Sequence, residues 1–172
     1  MCLNNWGGID HKVLEFHEYV NLFSGKSGSG KSTVMDAIQV ILYGSFSPSF
    51  LNKAADDAKN RRSVLSYLRG EQKDGSANRK DCDFCSVIAL EIEDTGTHII
   101  TCIGIAFEVR KSDSEIKKFV YFSHSGKMPE SEYLTEQGVC YSNQEIKKLV
   151  SSRAKSEAVS YTHLTLPTNS LV

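Results

Sequence analysis

The residues of this chain best suited to chemistry lie in one short run, Phe23-Ser24-Gly25-Lys26-Ser27-Gly28-Ser29-Gly30-Lys31-Ser32-Thr33. The run fits Gly, four residues, Gly-Lys-Ser/Thr, which is the spacing of a phosphate-binding loop. Glycine at positions 25, 28 and 30 lets the backbone take positive φ and come close to a phosphate. Successive N–H groups of residues 25–33 then line one concavity at the positive end of the following helix, an arrangement that favours an anion. In such a loop Lys31 reaches the β- and γ-phosphates of ATP and has the catalytic role, while the Ser32 hydroxyl ligates Mg²⁺. The same composition also suits a flexible Gly/Ser linker, so the flanks decide between the two.

A phosphate loop needs a buried strand before it and a helix after it. Tyr19-Val20-Asn21-Leu22-Phe23 is short and mostly apolar, and predicts an inner strand. Val34, Ala37, Ile38, Ile41 and Leu42 fall at helical spacing on one face, and Gly44 is placed to end that helix. Upstream, residues 6–16 predict one strand, turning at His17-Glu18. Downstream, residues 45–49 read as a loop, and Phe50-Leu51-Asn52-Lys53-Ala54-Ala55 leads into a charged segment. Residues 61–70 predict a short helix closed by Gly70, with arginines facing either phosphates or water. Residues 86–93, 98–109 and 117–122 then predict three strands with short connections, hence an antiparallel meander laid against the loop-bearing core. Gly104 inside the second of these suggests a bulge. An amphipathic helix is expected from Asn143, continuing to Ala158.

The composition sets the outer bounds. With 172 residues, 40% hydrophobic and 24% charged, and a net charge of −1, the chain has the make-up of one soluble domain. It contains no apolar run near the ~20 residues of a membrane span and no secretory signal, so a cytoplasmic location without membrane contact is expected. Five cysteines, an odd number, suggest free thiols. Cys82 and Cys85 have the spacing of half a zinc site, but no second pair follows, and they read as loop and strand-start residues. His11 and His17 have no visible partner and read as plain surface or strand residues. A full hydrolase also needs an apolar strand ending in Asp-Glu. Val87-Ile88-Ala89-Leu90-Glu91 lacks the Asp and continues like a half-exposed strand, and no Leu-Ser-Gly-Gly signature is present. Residues 1–172 thus hold half of an active site, and this chain alone is not expected to turn over ATP.

The character of the sequence changes at Val159-Ser160-Tyr161-Thr162-His163-Leu164-Thr165-Leu166-Pro167-Thr168. Those residues are the translation of GTC TCT TAT ACA CAT CTG ACG CTG CCG ACG, a transposase-type sequencing adapter. Residues 1–158 are therefore expected to be native, and residues 159–172 adapter-derived. On that expectation the reading frame was interrupted near Ala158 and the chain is a fragment.

The loop followed by Val34-Met35-Asp36-Ala37-Ile38-Gln39 resembles the head domains of SMC, SbcC, RecN and MukB-like ATPases. Those families carry Asp-Ala-Ile or a near variant here, where ABC transporters usually do not. Within the group, residues 6–16, the loop, residues 50–55, Tyr67-Leu68-Arg69-Gly70-Glu71 and the later strands look most like the SMC-like ATPase subunit of Wadjet-type plasmid-defence systems. The resemblance runs from about Trp6 to Val150. It implies an α/β P-loop NTPase of ABC/SMC type, present here as the amino-terminal half of a head and so an incomplete domain. A long coiled coil and a carboxy-terminal half with the signature and acidic motif would complete it. Two such heads sandwich ATP and Mg²⁺ and drive DNA loop extrusion with kleisin-type and nuclease subunits, and an arginine, here Arg69, lies near the nucleotide. The alternatives are an SbcC-type DNA-repair head, marked by a zinc-hook Cys-x-x-Cys at the coiled-coil apex, and a nucleotide-binding module without hydrolysis. A small nucleotide kinase should show an Arg-rich lid and substrate-binding carboxylates, and no such set is seen.

Overall fold

The computed structural model describes residues 1–46, 51, 63–72, 75–153 and 157–161. Its centre is a six-stranded sheet made from β1 (Cys2–Trp6), β2 (Ile9–Val13), β3 (Phe84–Glu93), β4 (Ile100–Val109), β5 (Lys118–Ser125) and β6 (Glu157–Tyr161). The order is β2-β1-β3-β4-β5-β6, and every neighbouring pair is antiparallel. The expected meander is therefore present as β3, β4 and β5, joined by short turns that permit only this pairing.

Alternation along the strands makes two apolar faces. Ile88, Leu90, Ile105, Phe107 and Phe119 face one way, where they join α1 (Lys31–Tyr43) and α2 (Val64–Arg69) in one core. Val87, Ala89, Ala106, Val120 and Phe122 face the other way, against Tyr133, Cys140 and the buried side of α3 (Asn143–Ser151). The middle strands are buried on both sides for this reason, and the half-exposed alternation expected after Val87 is not seen there.

The helices start and stop where the local chemistry dictates. Gly44 and Gly70 end α1 and α2 in the left-handed conformation, as their positions in the sequence led one to expect. The Ser142 side chain accepts the Glu145 N–H, and Glu145 reaches back to Ser142, a capping box that opens α3. That helix does not continue to Ala158. Ser151 and Ser152 turn their hydroxyls back onto the carbonyls of Lys147 and Leu149, both at 2.6 Å, in competition with further helix. The chain then returns as β6, which pairs Val159 with Tyr121 and so spans the boundary drawn at Ala158.

Three more expectations are corrected. Residues 6–16 are not one strand: Gly7 and Gly8 make a tight turn between β1 and β2, with Trp6 paired to Ile9. Gly104 marks no bulge, because the register runs unbroken from Ala89 through Gly104 to Phe122. Residues 19–23 form no strand, and Tyr19, Val20 and Leu22 are 84%, 78% and 89% exposed. A strand needs a neighbour for its N–H and C=O groups, and among the described residues the strands are already paired in the antiparallel sheet. The segment at residues 47–50 and 52–62, including Arg61, Arg62 and the stretch Asn52-Lys53-Ala54-Ala55, lies outside the described residues.

Candidate functional site

The run from Gly25 to Thr33 folds as a turn that delivers the chain into α1. Gly28 and Gly30 have φ of 84° and 86°, left-handed values that side chains with a Cβ rarely adopt. Gly30 is the N-cap of α1, so no side chain caps the first turn, and no acidic residue sits in it. Helix N–H groups are thereby left facing outward, with the helix dipole adding partial positive charge. The Lys31 ammonium folds back across the turn. It donates to the carbonyls of Gly25 at 2.7 Å and Lys26 at 3.0 Å, and to Ser29 Oγ at 3.3 Å. The sequence-expected set, residues 25–33, is thus gathered at one loop–helix junction. Residues 25–29 and Ser32 are exposed, and Gly30, Lys31 and Thr33 are half-buried.

That donor set suits a polyphosphate: backbone N–H groups, a lysine and no carboxylate. The exposed Ser32 hydroxyl offers one hard oxygen, and Mg²⁺ takes most of its remaining ligands from phosphates and water. Glu91 does not add to this set. Its carboxylate accepts the Met128 N–H at 2.6 Å. It follows Val87 and Ala89 on the sheet face away from α1.

What holds the junction in place was not visible in the sequence. The Trp6 indole N–H donates to the Thr33 carbonyl at 2.8 Å. Trp6 belongs to the same core as Leu3 because Asn5, with φ of 55°, interrupts the alternation of β1. The Tyr67 ring of α2 stacks on Trp6 at 5.1 Å between centroids, and its hydroxyl donates to the buried carboxylate of Asp36. Gly7 N–H donates to the Tyr67 carbonyl at 2.8 Å. Arg79 closes the assembly, donating to the carbonyls of Gly7 and Leu68 and pairing with Asp10 at 2.7 Å. Gly7 packs so tightly that a Cβ there would lie 2.6 Å from Thr33 Cγ2. The one available signal was Asp36 four residues before Val40, which puts a carboxylate on the core face of α1.

Other candidates take different places. The Arg69 guanidinium donates to the carbonyls of Lys111 at 3.2 Å and Asp113 at 2.6 Å, so it pins the connection between β4 and β5. His11 is more than a plain strand residue. Its ring nitrogens face Asn4 Oδ1 at 2.6 Å and Glu132 Oε2 at 2.7 Å, tying β2 to the segment before α3. His17 hydrogen-bonds only through its backbone, to the Asn21 side chain. Cys82 is exposed, while Cys85 lies in β3 with its thiol pushed up to about 11 by burial. Neither is poised as a nucleophile. Among the described residues no helix is long and apolar enough to cross a membrane.

Comparison with known proteins agrees with this location. Residues 1–58 match the family described as the P-loop containing region of AAA domain. A stretch of 72 residues is 33% identical to the SbcC component of the nuclease SbcCD from Staphylococcus haemolyticus (strain JCSC1435). That stretch makes up 40% of this chain and 6% of that protein, so the chain spans only a small part of its relative's length. The chain carries a P-loop region similar to that of an SbcC-type ATPase.

Proposed function

We propose that the chain binds Mg-ATP at residues 25–33 and is the amino-terminal segment of an SMC-like ATPase head of the SbcC type, acting on DNA. The observation that carries this reading is the junction itself. Uncapped N–H groups open α1, and Lys31 lies across the turn that a β- or γ-phosphate would fill. Of the two branches weighed from the sequence, the similarity to the SbcC component of SbcCD supports this one rather than the Wadjet type. Partners follow from the reading: DNA, a second head and a nuclease subunit.

The surface beside the junction supports a head completed by further sequence. Tyr19, Val20 and Leu22 just before the loop, and Met35 and Leu42 on the outer side of α1, are exposed apolar residues. Such surface is ordinarily covered. A parallel strand carrying the acidic motif would cover residues 19–23 and bring the carboxylate that positions water. Turnover is accordingly assigned to the completed pair of heads, with Lys31 in the catalytic role, and the chain alone binds without hydrolysing. Calorimetric titration with Mg-ATP tests the reading. Binding that disappears in Lys31→Ala supports it, and equal affinity in both proteins refutes it.

A further inference from the structure

The buried contact between Asp36 and Tyr67 has no obvious need in a core. Asp36 is 3% exposed and Tyr67 2%, and their neighbours Trp6, Ala37 and Val40 are apolar and fully buried. A carboxylate disfavours a helix interior and is costly to bury unless it is hydrogen-bonded. An apolar pair of similar volume would fill the space as well. An apolar pair would leave α1 free to rotate slightly about its axis, whereas a hydrogen bond fixes direction. Here the direction is fixed at two points one turn apart. The Thr33 carbonyl is held by Trp6 and the Asp36 carboxylate by Tyr67, and the two aromatic rings are stacked 7° from parallel. The pair is itself locked, since the Tyr67 carbonyl accepts from Gly7, whose own carbonyl is held by Arg79. Thr33 closes the phosphate-loop pattern. Fixing it together with Asp36 sets where the N–H groups of Lys31, Ser32 and Thr33 point.

We infer that Asp36 and Tyr67 are positioning residues for the phosphate site: their hydrogen bond sets the orientation of the first turns of α1 and thereby the affinity for Mg-polyphosphate. The inference rests on the nucleotide reading above, and one experiment separates the two. Mg-ATP affinity is measured by calorimetry for the full 172-residue chain and for Lys31→Ala, Tyr67→Phe, Asp36→Ala, Asp36→Asn and the double variant Asp36→Ala/Tyr67→Phe. Each is assayed well below its own thermal midpoint, with circular dichroism confirming that it is folded. Tyr67→Phe and Asp36→Ala each weaken binding about tenfold, the scale of one hydrogen bond. Asp36→Asn keeps an oxygen that accepts from Tyr67 and stays closer to the parent chain. The double variant is no weaker than Asp36→Ala, because both changes remove the same bond. If Asp36→Ala fails to fold, Tyr67→Phe, which deletes a single oxygen, decides the matter. Folded Tyr67→Phe with the parent affinity, where Lys31→Ala has lost binding, overturns the inference and leaves the nucleotide reading standing. Absence of binding by the parent chain, or full binding by Lys31→Ala, overturns both.

Discussion

Replacing Gly104 by alanine tests the packing at the middle of the sheet, on which both cores depend. A Cβ at this position would lie 2.6 Å from Phe122 Cζ, 2.9 Å from Phe122 Cε1 and 2.7 Å from the Ile88 carbonyl oxygen. Two effects oppose each other. Alanine restricts the unfolded chain and by that route stabilises by about 0.4–1 kcal/mol. Overpacking a filled site costs about 1–3 kcal/mol. The Phe122 ring is the far end of a side chain and can tilt. The Ile88 carbonyl belongs to β3, in register with β4 along its whole length, and cannot retreat without opening that ladder. The clash therefore wins, by roughly 1–2 kcal/mol, and lowers the thermal midpoint by about 2–4 °C for each of them in a chain of this size. Thermal unfolding followed by circular dichroism reads the difference. In the Gly104→Ala background, Phe122→Leu recovers part of the loss but not all, because the backbone contact remains. A Gly104→Ala chain that melts at or above the parent temperature refutes the argument, and complete rescue by Phe122→Leu shows that the carbonyl is not limiting.

Lys31→Ala leaves the thermal midpoint unchanged, since Lys31 bonds only to the exposed turn, while Mg-ATP binding falls by about 1.5–3 kcal/mol per charge-assisted bond lost; a lowered midpoint would show that the lysine is structural. Ser142→Ala removes the cap of α3 and destabilises by about 0.5–2 kcal/mol in urea titrations. Its backbone N–H bond to Glu145, the main cause holding that carboxyl below the usual carboxylate value, contributes stability above that range that is lost as pH falls through it, so Glu145→Gln should flatten the acid limb of the stability profile. His124 is fully buried, and burial holds its imidazole below the ordinary 6.5. The Ser125 carbonyl accepts from its Nδ1–H, leaving Nε2 to accept the Tyr133 hydroxyl, both at 3.2 Å. The folded chain then binds fewer protons than the unfolded one, and stability drops as pH falls below about 6.5; a His124→Gln chain with the same pH profile refutes this.

Local signals were legible and long-range ones were not. The spacing of Val34, Ala37 and Ile41 gave α1, and Gly44 and Gly70 gave two helix ends, because periodicity and left-handed caps are properties of a few adjacent residues. The phosphate loop was readable for the same reason. β1 was not: Cys2-Leu3-Asn4-Asn5 contains two asparagines, poor strand formers, and it is held by β3 from far along the chain. The segment at residues 19–23 has strand composition, yet composition supplies no neighbour to pair with. Trp6, Asp36, Tyr67 and Arg79 each look ordinary in isolation, and only the folded chain brings them to one place.

The pairing of Cys2 with Ala89 also sets an order in time. α1 and its glycine-rich turn are local and can form early, but the strand that carries Trp6 has only the β2 hairpin to lean on until β3 has been made. A two-stranded hairpin is marginal in water, and closing so long a loop is slow compared with helix formation. During synthesis the phosphate loop therefore exists before it is anchored, and it becomes a defined site only when the meander arrives. Changes in β3 or β4 should thus delay the appearance of nucleotide binding during refolding, even where they lie on the face of the sheet remote from the loop.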